Sequence, residues 1–189
     1  MQKLGSHSAA KNYIHAIMPH VQALYCHGSS LGTVVKIELK NEIKYYQGKQ
    51  LTASEASLHA MYDSTARDLG TADLMMYMAY DPPCQPPCSY TAGIAYTKVV
   101  CIHPYHNKVK QSINELASTT AATAHTVAHE IGHNLGMEHD FEPHHAAAGC
   151  DKTGVMSYGD PVNQWSTCSR SDFKNHYLAN MGSWCMPGT

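Results

Sequence analysis

At 189 residues the chain is long enough for one domain with a sizeable core and too short for two. Charged residues make up 15% and the formal net charge is -2, which excludes the basic stripe that nucleic acid or an anionic membrane surface would need. No apolar run approaches the ~20 residues of a membrane span, so function must be sought in a site rather than in bulk charge or hydropathy.

The N-terminal stretch "MQKLGSHSAAKN" is polar and carries no signal-peptide pattern. Seven cysteines, six of them after residue 80, suit disulfides in an oxidising compartment. Together these features read as a mature secreted fragment from which a signal and any pro-segment have been removed. The odd thiol, with Cys26 the first candidate, is then free, intermolecular or paired outside this chain. No Asn-x-Ser/Thr sequon occurs, so N-glycosylation is not expected.

From Ser8 to Tyr25, apolar residues Tyr13, Ile14, Ile17, Val21, Leu24 and Tyr25 recur at helical spacing, with Pro19 expected to kink or break the helix. "GTVVKIELKNEI" alternates Val35, Ile37 and Leu39 with Lys36, Glu38 and Lys40, the period of a strand with one wet face. "TASEASLHAMYDSTARDLG" predicts a helix capped by Thr52 and Glu55 and ended by Gly70, with Leu58, Met61, Tyr62, Thr65 and Leu69 facing the core.

"LMMYMAY" at 74–80 has the length of a strand, its methionines more fitted to a core than to ligation. The prolines of "DPPCQPPC" force a loop, and "AGIAYTKVV" at 92–100 reads as a further strand. "ASTTAATAHTVAHE" is an alanine- and threonine-rich approach to a helix, its small residues permitting close packing. No internal repeat is present.

"HEIGHNLGMEHD", His129 to Asp140, carries the chemistry. On a helix His129 and His133 stand on one face about 6 Å apart, so both can reach one metal ion. Glu130 lies about 100° round from His129, able to reach a metal-activated water without being a ligand. A hydrolytic zinc needs a third protein ligand and an open position. His139 supplies it only if Gly136 takes a left-handed conformation and turns the chain back, because a continued helix would carry His139 about 600° past His133. A water acidified from pKa 15.7 to about 7 would be the nucleophile, with Glu130 as general base passing its proton to the leaving amine. Of the remaining nearby histidines, His125, His144 and His145 do not share the spacing and read as surface or packing residues.

This long motif, followed by "GVMSYGD", resembles the metzincin metallopeptidases with their methionine turn, and Asp140 after the third histidine is similar to the adamalysin (reprolysin, ADAM) branch. "GIAYTKVVC" at 93–101 is similar to that family's edge strand, and "WSTCSRSDF" at 165–173 to the start of its C-terminal helix. The likeness runs from about Leu74 to Cys185. Within the branch it comes nearest to the antarease-like metalloproteases of scorpion venom.

The resemblance implies an α/β (α+β) metzincin fold in one catalytic domain, 1–189. A twisted mixed sheet with helices would form an upper subdomain to about residue 136. A small irregular lower subdomain, 137–189, would end in a C-terminal helix. It implies His129, His133 and His139 as zinc ligands, Glu130 as catalytic base, Met156 as an apolar floor and Asp140 buried beside it. Gly93, Ile94 and Ala95 would bind a protein or peptide substrate as an added strand. Implied disulfides are Cys101 to Cys185 and Cys150 to Cys168, with Cys84 to Cys88 a further pairing.

Two departures stand out. Tyr158, two residues after Met156, is placed more as in astacins and serralysins, where it can be a fifth zinc ligand; here it is such a ligand, an oxyanion donor, or a packing residue. The family's first strand and its calcium-site acids are not matched, so calcium is left open. The expected function is a monomeric, secreted zinc endopeptidase. The alternatives are a binding toxin or module that keeps the fold as scaffold, and a zinc hydrolase of non-peptide substrates.

Overall fold

A computed structural model describes residues 4–26, 31–40, 52–65, 72–80, 91–100, 109–150, 154–158 and 163–180. Helix α1 spans His7–Cys26 and runs through Pro19 unbroken. Pro19 and His15 both lie on the exposed side, where water can satisfy the carbonyl that the ring leaves without a donor. The opposite face buries Ile17, Val21, Leu24 and Tyr25 against Val127, Ala128 and Ile131 of helix α3, Thr120–Asn134. Each such aliphatic side chain contributes about 1.5–3 kcal/mol by leaving water. Polar ties add register: Tyr25 Oη donates to Ala128 O (2.7 Å), and Tyr13 Oη lies 2.8 Å from Thr123 Oγ1.

Residues 34–40 keep the expected alternation, with Val35, Ile37 and Leu39 half-buried and Lys36, Glu38 and Lys40 exposed, but they form no strand. Their backbone is bonded to α1 instead. Val35 N donates to Tyr25 O (3.2 Å), Ile37 N to Gln22 Oε1 (2.6 Å), and Gln22 Nε2 to Val35 O (3.0 Å). An extended segment whose amides are satisfied by a helix has no ladder to offer.

Helix α2, Glu55–Thr65, starts at Ser54 rather than Thr52: Ser54 Oγ accepts from Ser57 N (3.2 Å) and its carbonyl from Leu58 N (2.9 Å). Leu58 and Met61 are buried as expected. The expected C-terminal stop at Gly70 lies outside the described residues.

Among the described residues the sheet has three strands in the order β1-β3-β2, with β1 Met75–Ala79, β2 Gly93–Ala95 and β3 Gln111–Glu115. β1 pairs parallel with β3, Met75 opposite Gln111 and Ala79 opposite Glu115. β2 pairs antiparallel with β3, Gly93 opposite Asn114 and Ala95 opposite Ser112, and forms the edge. The mixed sheet beside packed helices is the α/β architecture expected. Met76 and Met78 face the α1–α3 core, while Ala79 and Ile113 face Leu58 and Met61 of α2.

The strand expected over 92–100 stops at Ala95 for a physical reason. Lys98 takes a positive φ of 61°, and Lys98 N, Val99 N and Val100 N turn to donate to His133 O and Asn134 O. They satisfy the Asn134 carbonyl at the end of α3 and give His133 O a second donor beside Gly136 N. Strand β3, "QSINE", has no apolar alternation, yet all five residues are buried. Side-chain hydrogen bonds anchor its two ends: Gln111 Nε2 donates to Leu58 O (3.1 Å) and Glu115 Oε1 accepts from Ala53 N (2.8 Å).

After α3 come a short helix α4, Pro143–Ala147, and helix α5, Thr167–Phe173, which continues as a π-helical turn over Lys174–Leu178. Cys150 and Cys168 are disulfide-bonded, tying the segment after α4 to α5. Cys26 is an exposed free thiol. The expected pairs Cys101 to Cys185 and Cys84 to Cys88 lie outside the described residues. No helix among the described residues is long and apolar enough to cross a membrane.

Candidate metal centre

Thr119 caps α3, its Oγ1 accepting from Ala122 N (3.1 Å), and the helix then carries His129, Glu130 and His133 into the interior. At its other end Gly136 N donates to His133 O and Met137 N to Gly132 O, both 2.9 Å, the paired bonds of a Schellman stop. Gly136 has φ +101°, a left-handed value that a side chain rarely adopts. A Cβ there would also lie 2.6 Å from His176 Cβ, so two independent constraints require glycine.

The turn brings His139 back to the helical pair. One nitrogen from each of His129, His133 and His139 lies within 4.8 Å of the others, and His133 Nε2 is 3.1 Å from His139 Nε2. His129 Nδ1 donates to Val155 O (2.8 Å) and His133 Nδ1 to Met137 O (2.9 Å). Each bond fixes the tautomer, leaving Nε2 as the lone-pair donor, which is how ligating histidines are oriented. Burial holds both rings neutral, pushing His129 down to about 4 and His133 to about 3. His139, half-buried, is shifted down as well by desolvation. Three neutral imidazoles converging on one point fit a zinc ion with a position left open.

Glu130 is buried, and burial pushes its carboxyl up to about 8. Its Oε2 has no hydrogen-bond partner, an orphaned acceptor beside the imidazoles. Gly93 of β2 lies against this side chain: a Cβ at Gly93 would be 2.7 Å from Glu130 Cγ. Strand β2 and the α3 helix thus wall one cleft of about 1060 Å³, lined also by Ile94, Ala95, Glu142 and Tyr158.

Met156 is fully buried beneath the histidines, and a Cβ added to Gly132 would come 2.7 Å from its Sδ. Asp140 is fully buried, its N donating to Met156 O (3.1 Å) while its carboxylate accepts from the hydroxyls of Ser157, Ser166 and Ser169. Tyr158 is 68% exposed, with Oη 3.3 Å from His139 Nε2. Its ring and that of Phe141 both pack on His139, at 5.0 and 4.6 Å between centroids.

The structure therefore gathers the histidines, Glu130, Gly93, Met156, Asp140 and Tyr158 in one place. Of the histidines read as surface or packing residues, His125 lines the cleft and His145 is packed in the interior, its Nδ1 bonded to His139 O (2.9 Å). His144 is exposed. Ser166, Ser169, Asp172 and His176 support the site without having been singled out from sequence; the first three lie in the "WSTCSRSDF" stretch that marks the start of the C-terminal helix, and spacing alone does not tie any of them to the motif. No curated protein matches the chain. A family model, Metallo-peptidase family M12B Reprolysin-like, matches residues 11–140, which takes in most of α1, the sheet and the whole histidine motif through Asp140. The chain belongs to this reprolysin-like family of zinc-dependent, typically extracellular metallopeptidases.

Proposed function

We propose that the chain is a secreted zinc endopeptidase, with His129, His133 and His139 holding one zinc ion and Glu130 acting as general base. The observation that carries this reading is the convergence of three neutral imidazoles beside a buried carboxylate whose Oε2 is unpartnered. Bound zinc supplies Lewis acidity, polarising the scissile carbonyl and acidifying water. Glu130 takes the proton of the attacking water on that free oxygen and returns it to the leaving amine, so no covalent enzyme intermediate is needed.

Gly93, Ile94 and Ala95 hold the substrate as an added antiparallel strand, a role supported by β2 being the sheet edge beside the cleft. Main-chain bonding makes that grip tolerant of sequence. Tyr158 is read as a donor to the oxyanion, or as a further ligand, on the strength of its 3.3 Å approach to His139. Met156 is the apolar floor, and Asp140 with its three hydroxyls secures the turn that carries it. All act within one catalytic domain whose upper part ends near Gly136. The secreted, venom-type reading rests on the motif likeness together with the Cys150–Cys168 disulfide, a bond suited to oxidising compartments.

The decisive experiment is Glu130→Ala, assayed on a denatured protein with zinc content measured in parallel. Cleavage falls by about 10²-fold or more, the scale of lost general-base catalysis, while zinc stays bound. A variant that keeps most of the wild-type rate would remove Glu130 from the mechanism.

A further inference from the structure

The helical ligands inherit their position from the backbone of α3, but His139 follows a glycine turn and needs a support of its own. Two residues provide it. His145, buried on α4, donates from Nδ1 to His139 O (2.9 Å), and its Nε2 faces Asp172 Oδ1 of α5 at 3.3 Å. Asp172 Oδ2 accepts from Glu138 N (2.9 Å). The carboxylate thus touches the chain just before the third ligand directly and the carbonyl just after it through His145. The result is a closed ring of polar contacts around the Glu138–His139 segment, two of them hydrogen bonds and the third the 3.3 Å approach of His145 Nε2 to Asp172.

The frame behind that ring is itself fixed. Cys150 N donates to His145 O (3.0 Å), and the Cys150–Cys168 disulfide anchors this segment to the helix that carries Asp172. Both carboxylate oxygens face a partner, and an alanine at position 172 would leave Glu138 N without its acceptor. A buried imidazole and a carboxylate spent on one peptide segment are more than packing alone would require.

We propose that His145 and Asp172 are positioning residues for the third metal ligand, fixing the backbone of His139 so that its ring meets the helical pair. The proposal rests on His139 being a zinc ligand. It goes beyond that reading by assigning two residues outside the motif to metal affinity rather than to chemistry.

The two nitrogens of His145 can be separated by substitution, because an asparagine amide nitrogen stands near Nδ1 and a glutamine amide nitrogen near Nε2. The test measures zinc dissociation by chelator competition for wild type, His145→Asn, His145→Gln and Asp172→Ala, and thermal unfolding of each zinc-free protein. His145→Gln and Asp172→Ala weaken zinc binding by about 10- to 100-fold, the usual range for lost ligand support, while His145→Asn stays within about threefold of wild type. The zinc-free midpoints of His145→Asn and His145→Gln fall alike, since each loses one polar contact. Equal zinc affinities for these two variants would overturn the clamp, whatever their stability. A wild-type protein that binds no zinc would instead overturn the ligand reading, and the clamp with it.

Discussion

His129 and His133 stand on a helix, are almost wholly buried, and have their rings fixed by carbonyls of Val155 and Met137. His139 stands past a turn, is half-buried, and has no carbonyl on its ring: Phe141 and Tyr158 pack on it and Glu142 Oε1 comes within 3.7 Å of Nδ1. Two ligands are thus consequences of local helical geometry, and the third is a consequence of tertiary structure. The difference also maps along the chain. The family match ends at Asp140, while Ser166, Asp172 and His176, which brace the turn, come from beyond it.

The comparison breaks most sharply at Gly136. An alanine there must hold φ near +101° and place its Cβ 2.6 Å from His176 Cβ. Left-handed backbone costs about 1–2 kcal/mol and overpacking about 1–3 kcal/mol, so Gly136→Ala loses roughly 2–5 kcal/mol in urea unfolding. Adding His176→Gly, which removes the clashing Cβ together with the ring, relieves the clash and leaves the backbone share, and a double-mutant cycle separates the two. If Gly136→Ala unfolds like wild type, the turn is not the constrained element described here.

The metal-free site sharpens the same comparison through pH. His129 and His133 bind protons near 6.5 when unfolded but only near 4 and 3 when folded, so their burial destabilises the fold as pH falls below 6.5. Glu130 has the opposite sense: it ionises near 4.5 unfolded and about 8 folded, so stability is lost as pH rises between them. Around pH 5.5 two unfolded-state protons outweigh one folded-state proton. Stability then rises with pH by about 1.2 kcal/mol per unit, and it falls by roughly half that slope between 6.5 and 8. Chelator-treated protein should show a maximum in melting temperature near pH 6.5. Glu130→Gln should remove the decline on the alkaline side.

How far the sequence could be read follows from where each constraint lies. The motif helix, its glycine stop and the returning His139 were legible because spacing of 3.6 residues per turn and one left-handed glycine determine them locally. Strand β3 was not, because its burial is met by side-chain hydrogen bonds to Leu58 and Ala53 rather than by apolar alternation. The alternation at Val35, Ile37 and Leu39 was real but announced a strand that α1 replaced, through Gln22 and Tyr25, as backbone partner. His145 resembled its exposed neighbour His144 in every local respect. Only the packing of α4 against α5 separates them.

The finest test concerns Tyr158, which belongs to the less constrained side of the site. Desolvation raises its pKa, with the Glu130 charge adding to it, so the phenol keeps its proton through the neutral range and can donate. Tyr158→Phe removes that donor while leaving the ring able to pack on Phe141 at 4.5 Å. A donor shielded from water is worth about 10²–10³ in kcat, but Tyr158 is 68% exposed, so about a tenfold fall is expected. KM and zinc affinity should hardly move if the hydroxyl serves the oxyanion. Zinc affinity should weaken if it is a ligand instead. An unchanged kcat with unchanged zinc binding would return Tyr158 to packing, and would leave the turn side of the centre contributing one ligand and no further chemistry.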